Sequence, residues 1–94
     1  MGRGLLFVFV GGDSMKIHEI KLYSCYFDDV LSGKKSFELR KNDRDYHEGD
    51  YLILKEIDNE GLTGRQLKVE VSYLLQDYDG LLDGYCILGI KLDF

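Results

Sequence analysis

Residues 33–40, GKKSFELR, hold the side chains of this chain that are best suited to chemistry. Lys35, Glu38 and Arg40 lie within six consecutive residues. An arginine presents a rigid fork of donors that fits a phosphate or a base edge, and a lysine presents a point charge. A glutamate can orient the arginine or accept a hydrogen bond from an exocyclic amine. The segment therefore suits recognition of a phosphate or a nucleic-acid base.

The basic residues of this region stand out from an acidic chain. The formal net charge of the chain is −5, so the overall basic balance that is usual in nucleic-acid-binding domains is absent. Residues 34–47 nevertheless carry five cations (Lys34, Lys35, Arg40, Lys41 and Arg44) against three anions (Glu38, Asp43 and Asp45). An acidic body would confine any contact with nucleic acid to this patch.

Aromatic residues near the basic segment add a second element of recognition. Tyr26, Tyr46 and Tyr51 offer ring faces on which an unstacked base could lie. A plainer interpretation stays open, namely a solvated strand face with an ion pair between residues two apart. Such an exposed pair is worth under about 1 kcal/mol.

The composition predicts one small domain with its own hydrophobic core. The chain has 94 residues, of which 45% are hydrophobic and 13% aromatic. This size and composition allow a single core without help from a metal or a disulfide, and they argue against disorder. Seven tyrosines and five phenylalanines favour strands over helices.

The cysteines and histidines indicate neither a disulfide framework nor a metal site. Cys25 and Cys86 are far apart and form no C-x-x-C motif, so we expect both to be reduced and mostly in the core. His18 and His47 are too few and too scattered for a zinc site. No stretch reaches the ~20 apolar residues of a membrane span. We therefore expect a cytoplasmic protein with no metal, no cofactor and no membrane contact, and a monomer by default.

The first fourteen residues differ in character from the rest. Residues 1–14, MGRGLLFVFVGGDS, contain only six consecutive apolar residues, which is short for a signal peptide. Met15 begins a more conventional start, so we expect residues 1–14 to be an upstream extension or an added segment, and residues 15–94 to be the domain. The alternative is an extra strand, since the run LLFVFV suits one.

The first half of the domain predicts a strand, a helix and a second strand. Residues 16–22 alternate as a strand does. Residues 25–32 place Phe27, Val30 and Leu31 on one helical stripe, with Ser24 as the N-cap and Gly33 as the left-handed residue that ends the helix. Residues 35–40 alternate again, and we expect Phe37 and Leu39 to face the core and Glu38 and Arg40 the opposite side.

The second half predicts strands over residues 50–57, 65–75 and 85–92. A polar loop precedes them at residues 41–49, and a polar turn lies at residues 58–64. Leu67, Val69, Val71 and Tyr73 are expected on one side of their strand, and Gly89 at a bulge or close backbone approach. The pattern predicts a mostly β, α+β fold: a small, mainly antiparallel barrel of five to six strands with one or two short helices.

These residues carry a resemblance to a known superfamily. Gly33, Lys35, Glu38 and Arg40 match the G-x-K-x-x-E-x-R motif of the ASCH superfamily, a branch of the PUA-like β-barrels. The wider stretch YFDDVLSGKKSFELRKNDRDYHEGDYLILKEI and the closing YCILGIKL resemble the DUF3850 subfamily. The resemblance covers residues 15–92, which is nearly everything except the N-terminal segment.

The resemblance implies a PUA-like barrel with a cleft that binds RNA or a modified nucleoside. By position, Lys35, Glu38 and Arg40 would line that cleft, with the polar loop of residues 42–45 beside it. The full set of candidate ligand-binding residues is Lys34, Lys35, Glu38, Arg40, Lys41, Asn42, Arg44 and Tyr51.

Two other functions stay open. One ASCH enzyme type, an acetylcytidine amidohydrolase, uses a motif lysine and a threonine nucleophile three residues later. Lys35 matches the lysine, but Glu38 stands at the nucleophile position, which argues against that mechanism. A water activated by Glu38 with Lys35 remains conceivable, so both are weak catalytic candidates. The third possibility is an accessory domain that docks proteins through the acidic, tyrosine-containing residues 76–85.

Overall fold

A computed structural model describes the backbone of residues 5–10 and 13–93 and the side chains of residues 15–93. In this part of the chain there are six strands and one short helix. They follow in the order β1 (Leu5–Val10), β2 (Asp13–Tyr23), α1 (Ser24–Leu31), β3 (Phe37–Lys41), β4 (Tyr51–Asp58), β5 (Gly61–Gln76) and β6 (Tyr85–Leu92). The mostly β prediction with five to six strands is confirmed.

All six strands belong to one sheet, in the order β1-β2-β4-β5-β6-β3. Every neighbouring pair is antiparallel except β2 and β4, which run parallel. A parallel pair needs a long crossover connection, and this connection contains α1 and β3. The chain therefore carries β3 to the far end of the sheet before it returns to build the middle.

The predicted closed barrel is not formed within the described residues. Among the described residues, positions 19–23 of β2 pair only with β4, because the described part of β1 ends opposite His18. At the other end of the sheet, β3 pairs with β6 and with no further strand that the structure describes. The Arg40 side chain of β3 donates a hydrogen bond to the Lys21 carbonyl of β2. The sheet thus curls until β3 approaches the second half of β2, and the Arg40 side chain spans the gap in place of a backbone ladder.

The hydrophobic core lies on the inner face of this curl. Alternation along each strand sends every second side chain inward, so β4 buries Leu52 and Leu54 while Ile53 and Lys55 are only partly covered. The helix contributes Phe27 and Val30. The buried hydrophobic residues are Ile20, Leu22, Phe27, Val30, Tyr46, Leu52, Leu54, Val69, Val71, Cys86, Leu88 and Ile90.

A β-bulge in β5 changes which residues face the core. The pairing of β5 with β6 shifts between Val71 and Tyr73, so Tyr73 is 59% exposed and Leu74 packs against the core instead. The prediction that Tyr73 shares a side with Val71 is therefore wrong. Gly89 pairs with Tyr73, and a Cβ at Gly89 would lie 3.1 Å from the Tyr73 Cβ and from the Ser72 Oγ. The predicted close approach at Gly89 is confirmed.

The predicted C-terminal residue of the helix is confirmed, but the predicted N-cap is not. Gly33 has φ = +84° and its N–H donates to the Val30 carbonyl, as expected of a left-handed terminating residue. Ser24 is not the N-cap, because its hydroxyl donates to the Ile57 carbonyl at 3.2 Å. Leu31 is exposed rather than part of the buried stripe.

The two cysteines lie in different environments. Both are free thiols, as predicted. Cys86 is in the core, where burial, followed by the charge of Asp43, raises the pKa of its thiol. Cys25 is exposed, so the prediction of a core position is wrong for it, because α1 turns only Phe27 and Val30 inward.

The N-terminal residues 5–10 form a strand, which was the alternative prediction for this segment. β1 pairs with the first half of β2 from Leu5 opposite His18 to Val10 opposite Asp13. Residues 1–4 and 11–12 lie outside the described residues, and the assignment of residues 1–14 to an extension stays a prediction. No helix within the described residues is long and apolar enough to cross a membrane.

Candidate functional site

Strand β3 turns its charged residues inward and its apolar residues outward. Glu38 is 3% exposed, whereas Phe37 is 48% and Leu39 is 55% exposed. The predicted alternation is correct but its direction is wrong. The register explains the outcome, since Glu38 lies opposite the buried Leu88 and Arg40 opposite the buried Cys86, so both share the inner face.

The buried carboxylate of Glu38 is held by two cations. Lys35 Nζ donates to Glu38 Oε2 at 2.6 Å, and Arg40 Nε donates to Glu38 Oε1 at 3.1 Å. Lys35 Nζ also donates to the Phe37 carbonyl at 2.6 Å. A buried charge is tolerated when it is paired and hydrogen-bonded, and this pairing is why a glutamate can take an inner position on β3. The motif residues thus form one connected unit.

Arg40 stands at the centre of a cleft between β2 and β3. Its Nε binds Glu38 and its Nη2 binds the Lys21 carbonyl, so the guanidinium plane is fixed from both sides. Cavities lie on either side of this bridge, and both are lined by Lys21, Arg40 and Lys41. We name them the cationic lobe and the aromatic lobe.

The cationic lobe is a groove of about 630 Å³ with a strong excess of positive charge. Five cations line it against two carboxylates. The cations are Lys21, Arg40, Lys41, Arg44 and Lys55, and the carboxylates are Glu19 and Asp43. Lys55 forms an ion pair with Glu19 at 3.1 Å. No hydrogen bond or ion pair to another described residue involves the side chains of Lys41 and Arg44, which leaves their charges available to a ligand.

The aromatic lobe is a groove of about 540 Å³ on the other side of Arg40. Tyr23 and Tyr26 line it with exposed rings, and Phe37 and Tyr85 complete its aromatic wall. The Lys35 ammonium lies 4.9 Å from the Phe37 ring centroid and 5.6 Å from that of Tyr26. Such cation–π contacts hold the amine beside the rings, so this lobe combines flat apolar surfaces with positive donors.

The loop between β3 and β4 is anchored so that Arg44 reaches the cationic lobe. Asn42 makes three bonds: its N–H donates to the Gly84 carbonyl at 2.7 Å, its Nδ2 donates to Gln76 Oε1 at 2.9 Å, and its Oδ1 accepts from the Tyr46 N–H at 3.1 Å. Asn42 therefore fixes the loop to the end of β5 and to the residue that precedes β6.

A buried His–Asp pair supports the other end of this loop. Asp50 Oδ2 lies 2.9 Å from His18 Nε2 and accepts the His47 N–H at 2.9 Å. The His18 ring meets the Tyr46 ring edge-on, with centroids 4.9 Å apart. Burial raises the pKa of the Tyr46 phenol, and the charges of Arg44 and Arg40 act in the opposite direction. The buried His18–Asp50 pair thus supports Tyr46, which lines the cationic lobe.

The structure brings five of the eight predicted ligand-binding residues into the cleft: Lys35, Glu38, Arg40, Lys41 and Arg44. Three lie elsewhere. Lys34 is exposed in the turn after α1 and lines neither lobe. Asn42 holds the loop, as described above. Tyr51 lies under the Lys68 ammonium at 4.5 Å, away from both lobes. Of the other two proposed stacking residues, Tyr26 lines the aromatic lobe and Tyr46 the cationic lobe.

Sequence reasoning missed the contribution of β2 and β4. Lys21 and Lys55 are neighbours in the parallel ladder, and both line the cationic lobe. Tyr23, at the end of β2, lines the aromatic lobe. Their positions depend on the order of strands in the sheet, for which the sequence carries no local signal.

Glu38 and Lys35, the two weak catalytic candidates, are both engaged within the protein. Each oxygen of Glu38 already accepts a hydrogen bond from a cation, and the side chain is almost fully buried, so little of the carboxylate is available to activate a water. Lys35 is likewise engaged with Glu38 and the Phe37 carbonyl. Among residues 15–93, no group of three or more His, Cys, Asp or Glu side chains is arranged to hold a metal ion.

Comparisons with known proteins give a family but no function. A family model described as "Domain of unknown function (DUF3850)" matches residues 17–90. A similar protein, "Uncharacterized 12.9 kDa protein in GpA 3'region" of Escherichia phage P2, is 45% identical over 73 residues. That match covers 78% of this chain and 66% of the phage protein, so this chain spans slightly less than two thirds of that relative's length.

Proposed function

This chain belongs to the DUF3850 family, and we propose that it is an RNA- or nucleoside-binding domain whose ligand lies in the cleft between β2 and β3. The observation that carries the proposal is the cationic lobe. Five cationic side chains line this groove, although the net charge of the whole chain is −5. A phosphate backbone is attracted to such a groove and repelled by the acidic remainder of the surface.

The aromatic lobe supports the same function. Single-stranded nucleic acids are bound where a basic groove follows the backbone and aromatic rings stack the bases. The two lobes share Arg40, so a phosphate in one lobe and its base in the other would both contact the guanidinium. The arrangement suits an unpaired nucleotide better than a duplex, because stacking on the rings needs an unstacked base.

We extend the proposal to the fold. The match of Gly33, Lys35, Glu38 and Arg40 to the ASCH motif supports a PUA-like origin. The curl of the sheet supports it as well, since β2, β4, β5, β6 and β3 follow one another around the core. In this proposal the opening between β2 and β3 is the binding cleft of an incomplete barrel, and Arg40 spans it.

The test is a titration of fluorescently labelled single-stranded RNA at low salt. The double variant Lys41→Ala/Arg44→Ala removes two cations of the groove whose side chains form no hydrogen bond or ion pair with another described residue. The matched variant Lys34→Ala/Lys91→Ala removes the same charge from exposed positions outside the cleft. Each phosphate contact contributes about −0.7 to the slope of log K against log salt for single strands.

The wild-type protein and the Lys34/Lys91 variant are expected to bind alike. The Lys41/Arg44 variant is expected to bind more weakly, with a slope that is less steep by about 1.4. Equal losses in the two variants would mean that binding follows net charge rather than the cleft, and the proposal would fail. Absence of wild-type binding at low salt would also overturn it.

A further inference from the structure

The charged groups of the aromatic lobe that keep hydrogen-bonding capacity are donors, whereas the hydroxyls of its tyrosines can donate or accept. Lys35 has three ammonium protons, of which two are taken by the Phe37 carbonyl and Glu38. Arg40 uses Nε and Nη2 within the protein, and its Nη1 has no partner among the described residues. Both side chains line the lobe, so each has donor capacity left for a ligand.

The charged acceptor of the lobe is already engaged within the protein. Glu38 is the carboxylate in its wall, but Lys35 occupies one of its oxygens and Arg40 the other. The Glu38 side chain is also 3% exposed. An amine of a ligand that approached this wall would therefore meet two cations and a carboxylate that is already paired. A carbonyl oxygen would meet donors.

We propose that the aromatic lobe is a base pocket that selects keto bases, guanine and uracil, over amino bases, adenine and cytosine. This inference rests on the proposed function of the cleft. The base lies against the exposed rings of Tyr23 and Tyr26 and directs its exocyclic position at Lys35 Nζ and Arg40 Nη1. Guanine O6 and uracil O4 accept these bonds, whereas the amines of adenine and cytosine are donors and are disfavoured.

The pocket is selective because its own carboxylate is neutralised internally. If Glu38 were free, it would accept from an amine and reverse the preference. Because of the pairs Lys35–Glu38 and Arg40–Glu38, the charged groups of this wall that remain free only donate. Discrimination against a base that lacks the matching group is costly because the polar groups of the site are then left unpaired.

The test is isothermal titration calorimetry at low salt with the four ribonucleoside 5′-monophosphates. UMP and CMP share the ribose, the phosphate and a single pyrimidine ring, and they differ at position 4 of the base. GMP and AMP make the corresponding purine comparison. We expect UMP to bind about tenfold more tightly than CMP, and GMP about tenfold more tightly than AMP. A tenfold ratio lies in the lower part of the discrimination that one well-formed base contact provides.

A pair of adjacent lysines provides the matched control. Lys35→Met keeps most of the aliphatic stem and removes the donor, so it is expected to reduce the UMP/CMP ratio to within about threefold of unity. Lys34→Met, one residue away and outside the cleft, is expected to keep the wild-type ratio. The wild-type ratios test the proposal even if Lys35→Met fails to fold.

The outcomes separate this inference from the function on which it rests. Equal binding of all four nucleotides would overturn the base preference while the proposed function stands. Preference for CMP and AMP would overturn it as well, and would indicate that Glu38 is free. No binding of any nucleotide or of single-stranded RNA would overturn the proposed function together with the inference.

Discussion

At the scale of the residue, the central feature is a carboxylate placed where a hydrophobic residue was expected. Glu38 takes an inner position on β3 because Lys35 and Arg40 neutralise it. A charge in this place costs free energy unless its partners stay in position. The motif spacing provides both partners from the same short segment, and the Lys21 carbonyl of β2 fixes Arg40 from the other side.

The orientation of β3 makes a prediction about stability. Glu38→Gln leaves two cations facing a neutral amide and is expected to lower the free energy of unfolding by about 2 kcal/mol, the cost of a lost charged hydrogen bond. Leu39→Ala, on the exposed face of the same strand, is expected to cost under about 1 kcal/mol. Urea unfolding followed by circular dichroism measures both. A larger loss for Leu39→Ala than for Glu38→Gln would mean that the strand faces the other way.

Another buried carboxylate, that of Glu56 on β4, predicts a dependence of stability on pH. The hydrogen bonds from Arg65, and then that from Thr63, lower the pKa of Glu56 from 4.5 to about 2. Because the folded pKa is the lower one, Glu56 stabilises the fold above its unfolded pKa. This contribution is lost as the pH falls from about 4.5 towards about 2.

The variant Glu56→Gln isolates this effect. Its free energy of unfolding is expected to be below that of the wild type at about pH 6, and the difference should shrink as the pH falls to about 2.5. Asp45, whose pKa is lowered by its bond to Lys16, is present in both proteins and cancels. A difference that stays constant over this range would contradict the assigned role of Arg65.

Alternation along β3 was predictable from the residues, but its direction was not. A period of two assigns Phe37 and Leu39 to one face and Glu38 and Arg40 to the other, and burial of the apolar pair is the usual outcome. The outcome is reversed here because β3 lies at the end of the sheet, where its inner face borders the cleft and finds cations for Glu38. The two cations are part of the same six residues, but the place of β3 at the end of the sheet cannot be read from them.

At the scale of the element, the bulge in β5 decides which side chains reach the core. The extra residue between Val71 and Tyr73 turns Tyr73 outward and Leu74 inward. Gly89 on the neighbouring strand makes room for the bulge. Strands predicted at residues 50–57 and 85–92 closely match β4 and β6 because their alternation is uninterrupted. The alternation of β5 breaks at its bulge, and the sequence marks this break only through Gly89.

Gly89→Ala tests this relation. Its Cβ would lie 3.1 Å from both the Tyr73 Cβ and the Ser72 Oγ, so the bulge must shift. We expect a loss of about 1–3 kcal/mol in the free energy of unfolding, the usual cost of overpacking. Addition of Ser72→Ala removes one of the two contacts and should recover part of the loss. An unchanged midpoint of urea unfolding for Gly89→Ala would show that the bulge is not constrained at this position.

At the scale of the whole molecule, the cleft is a consequence of the strand order. The crossover that makes β2 and β4 parallel carries β3 to the opposite end of the sheet, and the curl then brings β3 back to β2. The sequence motif predicted the side of the cleft built by Lys35, Glu38 and Arg40. It could not predict the other side, which Lys21 and Tyr23 provide, because residues far apart along the chain meet there only through the topology.

The most direct test of the account is to map the bound ligand on the whole molecule. The measurement is a titration of ¹⁵N-labelled protein with single-stranded RNA at low salt, followed by backbone amide chemical shifts. The account predicts that the largest shifts cluster on both sides of the cleft, at Lys21, Tyr23, Arg40 and Arg44. Shifts concentrated at Tyr51 and Lys68, or in the acidic loop of residues 77–83, would contradict it, as would a spectrum that RNA leaves unchanged.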